Sequence, residues 1–389
     1  MKVLYLDWDA FGKIDYPFTF EHELGIEVAY FNHQDYLTTE SEDFLLLFKR
    51  YVEELHCDFA FSINYFVMMA EGAKRCGIPY VCVVYDSPQY FLYHKSAVYP
   101  TNHVYHFDSQ EALRLNAYGI NTVKYTVLPV NSTVIDTMLR QPYDAERTTC
   151  EVSFVGQMYD EEPNYFKRMM DKLDDRSRGF VQGLMAAQMQ VYGADVVTPS
   201  ITKELLAKMM AADRYSVAEG TTVDPREVYA DDYICKGITS VERRGFLQEI
   251  AKKHDVKLFT VNPKVEIARV KNMGGTNYYD EMPLVFHNSK INLNITLRSI
   301  KNGIPLRAMD IIGAGGFLLT NFQSDFLNHF YPDEEFVYFE DREDLLKKVD
   351  YYLEHEDKRI AIAKAGHERA KAEYNFRLIL KGILEESVN

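Results

Sequence analysis

Short apolar, β-branched runs alternate with helix-period segments through about the first 145 residues, and this rhythm limits the chain to few folds. Residues 3–6, 27–31, 58–63, 81–85, 104–107 and 123–128 read as strands. Between them, 44–55, 66–76 and 110–118 carry helical periodicity, and the last two stop at Gly77 and Gly119. Strands separated by helices specify β-α-β units, a parallel sheet and an α/β class. In such sheets ligands sit beyond the carboxyl ends of the strands. Those ends carry Asp7, Asp9, Asn32, His33, Asn64, Asp86, Asp108 and Ser109. The same residue types cap helices and make turns, so their recurrence predicts a polar cleft without selecting the acting residue.

Residues 139–149 are polar, contain Pro142 and lack periodicity, and they read as a linker. The α/β rhythm restarts with Cys150-Glu-Val-Ser-Phe-Val-Gly156. It is then interrupted from about 161 to 250 by a mainly helical insertion with Met169-Met170 and Met209-Met210. Methionine on such faces signals helix packing more than a cofactor box. The insertion could shape an acceptor site or carry a homo-oligomer interface. Strand-like runs resume at 257–261, 290–296, 317–321 and 336–339, and a helical tail from about 341 breaks near Tyr374-Asn375. Two α/β domains follow, 1–145 and 150–365, with 366–389 as a closing helix.

The formal net charge is −15 and no long Lys/Arg run offsets it, which argues against nucleic acid and against a polybasic membrane surface. Five scattered cysteines, never spaced C-x-x-C, suit neither a disulfide framework nor a zinc site, and no metal-ligand spacing is visible. No stretch approaches the roughly 20 apolar residues that span a bilayer. The chain opens directly on a strand-like run without a leader pattern, so a cytoplasmic protein is expected.

Residues 288–321 are the most informative stretch. A strand leads through Leu297-Arg-Ser-Ile-Lys-Asn-Gly303 into a helix starting near Pro305, which ends at Gly313-Ala-Gly-Gly316 before the next strand. The glycine cluster follows a helix and precedes a strand, the reverse of the dinucleotide fingerprint, so its simplest role is a C-cap. The anion-competent feature is the other end, where a helix N-terminus follows a loop holding Arg298 and Lys301. Arg307 and Asp310 share one face of that helix. They make either a surface ion pair of small value or a phosphate-plus-ribose pair.

The run SKINLNITLRSIKNGIPLRAMDIIGAGGFLLTN resembles the C-terminal domain of GT-B glycosyltransferases, in the branch related to the spore-maturation protein CgeB. FSINYF, GIPYVCVVYDSP, VSFVG and MGGTNYYDEMPLVFHNSKINLNIT are similar to the same group. The resemblance implies two facing Rossmann-like domains, a nucleotide-sugar donor (UDP-linked) on the C-terminal one and a glycan or protein hydroxyl acceptor on the N-terminal one. It also implies a last helix returning to the N-terminal domain, no required metal or cofactor, and a place in bacterial glycan or glycoprotein biosynthesis. Many such families carry two glutamates eight positions apart. Asp310 stands at the second, ribose-binding place, and Asn302 at the first, where it cannot act as an acid.

Glycosyl transfer passes through an oxocarbenium-like state while negative charge builds on the leaving diphosphate. Arg298, Lys301, Arg307 and the 303–305 backbone are expected to meet that charge, with Asn302 and Gly303 among the donor-binding residues. Asp86, stiffened by Pro88, is the expected general base, with Asp9 second; Gly12 would let backbone approach the phosphates or would simply make a turn. A sugar-nucleotide epimerase and a non-catalytic nucleotide or sugar sensor are the competing readings.

Overall fold

The computed structural model describes residues 1–388, the side chains of 132–134 excepted, and contains two compact α/β units. The first comprises Met1–Pro129, Ser216–Val223 and Tyr374–Asn389; the second comprises Val130–Tyr215 and Asp224–Glu373.

In the first unit the strands are β1 (Lys2–Leu6), β2 (Glu27–Phe31), β3 (Phe59–Ile63), β4 (Tyr80–Val84), β5 (Asn102–His106) and β6 (Val123–Tyr125). They form one parallel sheet in the order β2-β1-β3-β4-β5-β6. β3 and β4 are buried throughout because helices cover both faces, which is why they read as unbroken apolar runs. The strand order changes direction between β1 and β3, the position where open α/β sheets form their crevice. Trp8 bridges that point by donating its indole N–H to the Ile63 carbonyl at 3.1 Å.

Two distant segments complete this unit. In the arm Ser216–Val223, Thr222 N–H donates to the Tyr93 carbonyl at 3.0 Å, and the Gly220 carbonyl accepts from Lys95 N–H at 3.2 Å. The helix Phe376–Ser387 brings the Ser387 hydroxyl to 2.8 Å from the Tyr105 hydroxyl, and Phe376 packs edge-on against Tyr16.

His106 ends β5 fully buried, with Nδ1 accepting from the Asp108 N–H at 3.0 Å. Burial chiefly, opposed by Asp108, lowers its pKa from 6.5 to about 4. The unfolded chain therefore takes up this proton at higher pH than the folded one. Stability falls as pH drops from about 6.5 toward 4, by about 3 kcal/mol if the shift is fully expressed. Urea midpoints measured across that window should fall steeply for the natural protein and more gently for His106→Gln.

The second unit holds β7 (Val152–Val155), β8 (Val256–Phe259), β9 (Val270–Asn272), β10 (Ile291–Asn294), β11 (Leu318–Asn321) and β12 (Val337–Phe339). Their order β12-β11-β10-β7-β8-β9 is the Rossmann arrangement, with the direction change between β7 and β10. Both sheets are parallel, as the alternating sequence pattern requires, and each has six strands. β9 escaped the sequence reading because it is a three-residue edge strand, half-exposed, with no apolar run.

Between β7 and β8 the chain is helical, with Tyr165–Lys172, Asp175–Met189, Lys203–Ala212 and Lys236–Ile250 as the main helices. Met169, Met185 and Met209 pack with Tyr229, Tyr233 and Ile234 in a separate small core, so these methionines are packing residues. The stretch read as a linker is ordered around a short helix, Ala145–Thr148, capped by Asp144. From it Arg147 donates to the carbonyls of Met273 (2.6 Å) and Gly275 (2.8 Å) and pairs with Glu281, tying down the loop after β9. Among the described residues no helix is long and apolar enough to cross a membrane.

Candidate functional site

The carboxyl edge of the second sheet is built largely from buried side-chain amides. Asn294 donates to the hydroxyls of Thr296 and Thr320, both at 2.9 Å, and Asn321 Oδ1 accepts from the Thr296 N–H at 2.7 Å. Gln323 donates to the carbonyls of Ile300 and Gly303, both at 3.3 Å, while Asp325 N–H reaches the Asn302 carbonyl at 3.2 Å. The loop 297–303 is therefore held in one shape before it enters the helix Leu306–Gly313. Pro305 occupies the N-cap and no side chain caps that end, so the first N–H groups of an eight-residue helix stand at the strand edge with Arg307 among them.

Arg298 and Lys301 depart from the sequence expectation. The Arg298 guanidinium is buried against Glu242, donates to the Val191 carbonyl at 3.0 Å and lies 3.8 Å over the Tyr192 ring. Burial alone would lower its pKa, and Glu242 outweighs that and raises it. The Lys301 ammonium lies 3.1 Å from Asp231 and 3.4 Å from Asp195. Burial opposes its charge too, and the two carboxylates more than restore it. The two cations are matched by three acids from the segment between β7 and β8, so they fix the loop and the cluster carries no net positive charge. Asn302 and Gly303 contribute through backbone carbonyls.

Arg307 and Asp310 do share a face, 3.4 Å apart and partly buried. The Tyr278 hydroxyl donates to Asp310 Oδ1 at 2.9 Å, and Arg307 lies 5.5 Å over the Phe286 ring. These contacts hold the Asp310 carboxylate at the helix flank. Among the described residues no group of three or more His, Cys, Asp or Glu side chains converges to hold a metal ion.

One residue here was missed by sequence reasoning. Arg243, on the helix before β8, reaches the direction change between β7 and β10. It donates Nε and Nη2 to the Ile295 carbonyl (3.0 and 2.5 Å) and Nη1 to the Gln157 carbonyl (2.5 Å). The rings of Tyr159 and Phe154 flank it at 4.9 and 5.1 Å. Its hydrogen-bond partners are the two carbonyls and the Tyr159 side chain, and burial chiefly lowers its pKa, with Arg307 adding to that and Tyr159 and Glu161 opposing. A buried cation hydrogen-bonded to neutral groups leaves positive potential at the crevice. No motif marks it, since it lies far from the 288–321 segment and looks like any helical arginine.

In the first unit Asp86 follows β4. Its Oδ2 accepts from Asn64 Nδ2 at 2.7 Å, and Asn64 Oδ1 accepts the N–H groups of Tyr85 (2.8 Å) and Asp86 (3.3 Å). Asn64 adopts φ of 63°, which places its side chain for this pairing. The Ser87–Pro88 peptide is cis. Asp9 differs: its carboxylate is 95% exposed and paired with Lys13 at 2.6 Å, a solvated surface pair without the burial that tunes a general base. Gly12 has φ of 86°, and a Cβ there would lie 3.3 Å from the Tyr85 hydroxyl. Its turn role is sufficient to explain it.

Residues 243–385 match the family model described as glycosyl transferase-like. Solved structures cover nearly the whole chain. Anabaena HepE (Alr3699) in complex with UDP-glucose aligns over 99% of both chains at 12% identity, with a TM-score of 0.53. Sucrose-phosphate synthase from Thermosynechococcus elongatus covers 100% of this chain and 99% of its own, at 12% identity and TM-score 0.52. A glycosyltransferase from Rickettsia africae covers 99% and 97%, at 10% identity and TM-score 0.50. No curated protein sequence matches. At these identities the likeness fixes the fold, that of the two-domain GT-B glycosyltransferases. Together with the family match in the unit that holds Arg243, Arg307 and Asp310, it defines the class: the chain is a glycosyltransferase.

Proposed function

We propose that the chain transfers a sugar from a UDP-linked donor to a hydroxyl of a glycan or protein acceptor, as a cytoplasmic enzyme of the CgeB-related branch. The observation that carries the donor assignment is the edge of the second sheet, where buried Arg243, the uncapped start of Leu306–Gly313 and Arg307 concentrate positive potential beside Asp310. The uridine assignment is supported by HepE, which was solved with UDP-glucose. Five unpaired cysteines suit a reducing compartment.

As the sugar–phosphate bond breaks, charge moves onto the diphosphate, where the helix N–H groups, Arg307 and the field of Arg243 oppose it. Asp310, oriented by Tyr278, accepts from the ribose hydroxyls. Asp86, oriented by Asn64, removes the proton of the attacking hydroxyl.

UDP at 100 times its Kd should stabilise the protein by roughly 2.7 kcal/mol, and Asp310→Ala should lose most of that. Thermal melts with uridine, guanosine and adenosine diphosphates check this. Stabilisation by another base alone would overturn the uridine assignment. Asp86→Asn should lower kcat about a hundredfold with donor KM unchanged. Unchanged kcat would remove Asp86 from the mechanism.

A further inference from the structure

A cavity lies in the second unit, toward the amino end of β10 and therefore at the opposite sheet edge from the candidate donor site. It encloses about 500 Å³ between the end of the helix Met282–Asn288, the 314–317 turn and the helix Glu356–Glu373. Five of its lining side chains are cationic or can become so: His287, Lys290, Arg359, Lys364 and His367. This is a concentration of basic groups on a chain with a net charge of −15.

Part of the arrangement is structural. His287 Nδ1 donates to the Ala314 carbonyl at 3.0 Å and His367 Nδ1 to the Ile312 carbonyl at 3.3 Å, so the two imidazoles cap the end of Leu306–Gly313. Capping fixes both rings through Nδ1 and accounts for nothing at Nε2. It does not account for the other cations either. Lys290 and Lys364 are exposed and lie 3.8 Å from their nearest carboxylates, Glu151 and Glu368, beyond hydrogen-bond reach. Arg359 is buried, gives one bond to the Tyr352 carbonyl at 2.8 Å, and has Glu356 3.5 Å away. Of the two acidic lining residues, Asp136 is already matched by Lys371 at 2.5 Å.

Gly315 of the turn faces the same space. Gly315 has φ of 69°, and a Cβ there would project between the rings, 3.8 Å from His287 Nδ1 and 3.9 Å from the His367 ring. Three loosely paired cations, two tethered imidazoles and a glycine floor form a site for a small, multiply charged anion. The volume exceeds what inorganic phosphate fills, and Asn288, Asp136 and Glu356 on the wall are groups that hydrogen-bond hydroxyls.

From this convergence we infer that the cavity binds a phosphate monoester of a sugar, at a site separate from the donor site. The helix Leu306–Gly313 connects the two, with Arg307 and Asp310 near one end and the histidine-capped carbonyls at the other. The inference does not depend on the identity of the donor.

Isothermal titration of the full chain with glucose 6-phosphate, glucose and inorganic phosphate tests it, each with and without saturating UDP. Glucose 6-phosphate should bind saturably in both conditions and better than either fragment. Lys290→Glu with Lys364→Glu, both on exposed positions, should weaken it at least about tenfold, the equivalent of 1.4 kcal/mol, and leave UDP binding unchanged. Competition with UDP, binding indifferent to the lysine changes, equal affinity for inorganic phosphate, or no heat at millimolar ester would each overturn the site.

Discussion

Arg243→Met should lower kcat/KM for the nucleotide-sugar donor by about a hundred- to a thousandfold, the scale of losing one preorganised electrostatic group. Methionine follows much of the arginine stem, so packing against Phe154 and Tyr159 is largely kept. The change removes the charge and frees the carbonyls of Ile295 and Gln157, which lie just beyond the two strands flanking the crevice. Two consequences should separate. Calorimetric UDP affinity should drop because positive potential at the diphosphate is gone. The remaining affinity should depend on salt at least as steeply as before, since the lost buried charge acts through a medium that ions barely screen. Arg243→Lys keeps a charge and cannot span both carbonyls, so it should recover part of the affinity and less of the rate. Wild-type UDP affinity in Arg243→Met would show that the residue only braces the two loops.

The sequence made the sheets legible for a physical reason. Strands covered on both faces, such as Phe59–Ile63 and Tyr80–Val84, must be apolar along their whole length, and that shows as a run. The helix after Pro305 was equally visible, because proline and the glycine turn bracket it. What charged residues do there was not visible. Arg298 and Lys301 sit where a phosphate-binding loop would put them, and only the fold shows that Glu242, Asp231 and Asp195 reach back to match them. Arg243 is the converse case, an ordinary helical arginine whose value comes from the neutral carbonyls around it. Composition predicts how many charges a chain has, whereas the pairing that leaves one uncompensated arises between segments distant in sequence. Asp9 illustrates the same gap: a strand-end carboxylate becomes a solvated surface pair once Lys13 is brought beside it.

Glu242→Ala should be among the most destabilising single changes in the chain, at about 3–5 kcal/mol, because it strands a buried guanidinium. Glu242 and Arg298 have side chains only 4% and 6% exposed, so water cannot take over the lost contact. The pair is also the joint between the helix Lys236–Ile250 and the loop 297–303, and its loss should loosen the entry to Leu306–Gly313. Urea denaturation measures the first effect and donor KM the second. The informative variant is Glu242→Leu combined with Arg298→Met. Removing both charges eliminates the desolvation cost, so most of the stability should return. The hydrogen bonds from Arg298 to Glu242 and the Val191 carbonyl would still be absent, and the loop would remain free to move. Donor KM should then stay several-fold above wild type despite a near-normal unfolding midpoint. If stability and KM recover together, the pair only holds the helical segment to the sheet. If stability recovers alone, the helical segment between β7 and β8 acts on the reaction by setting the shape of the donor loop.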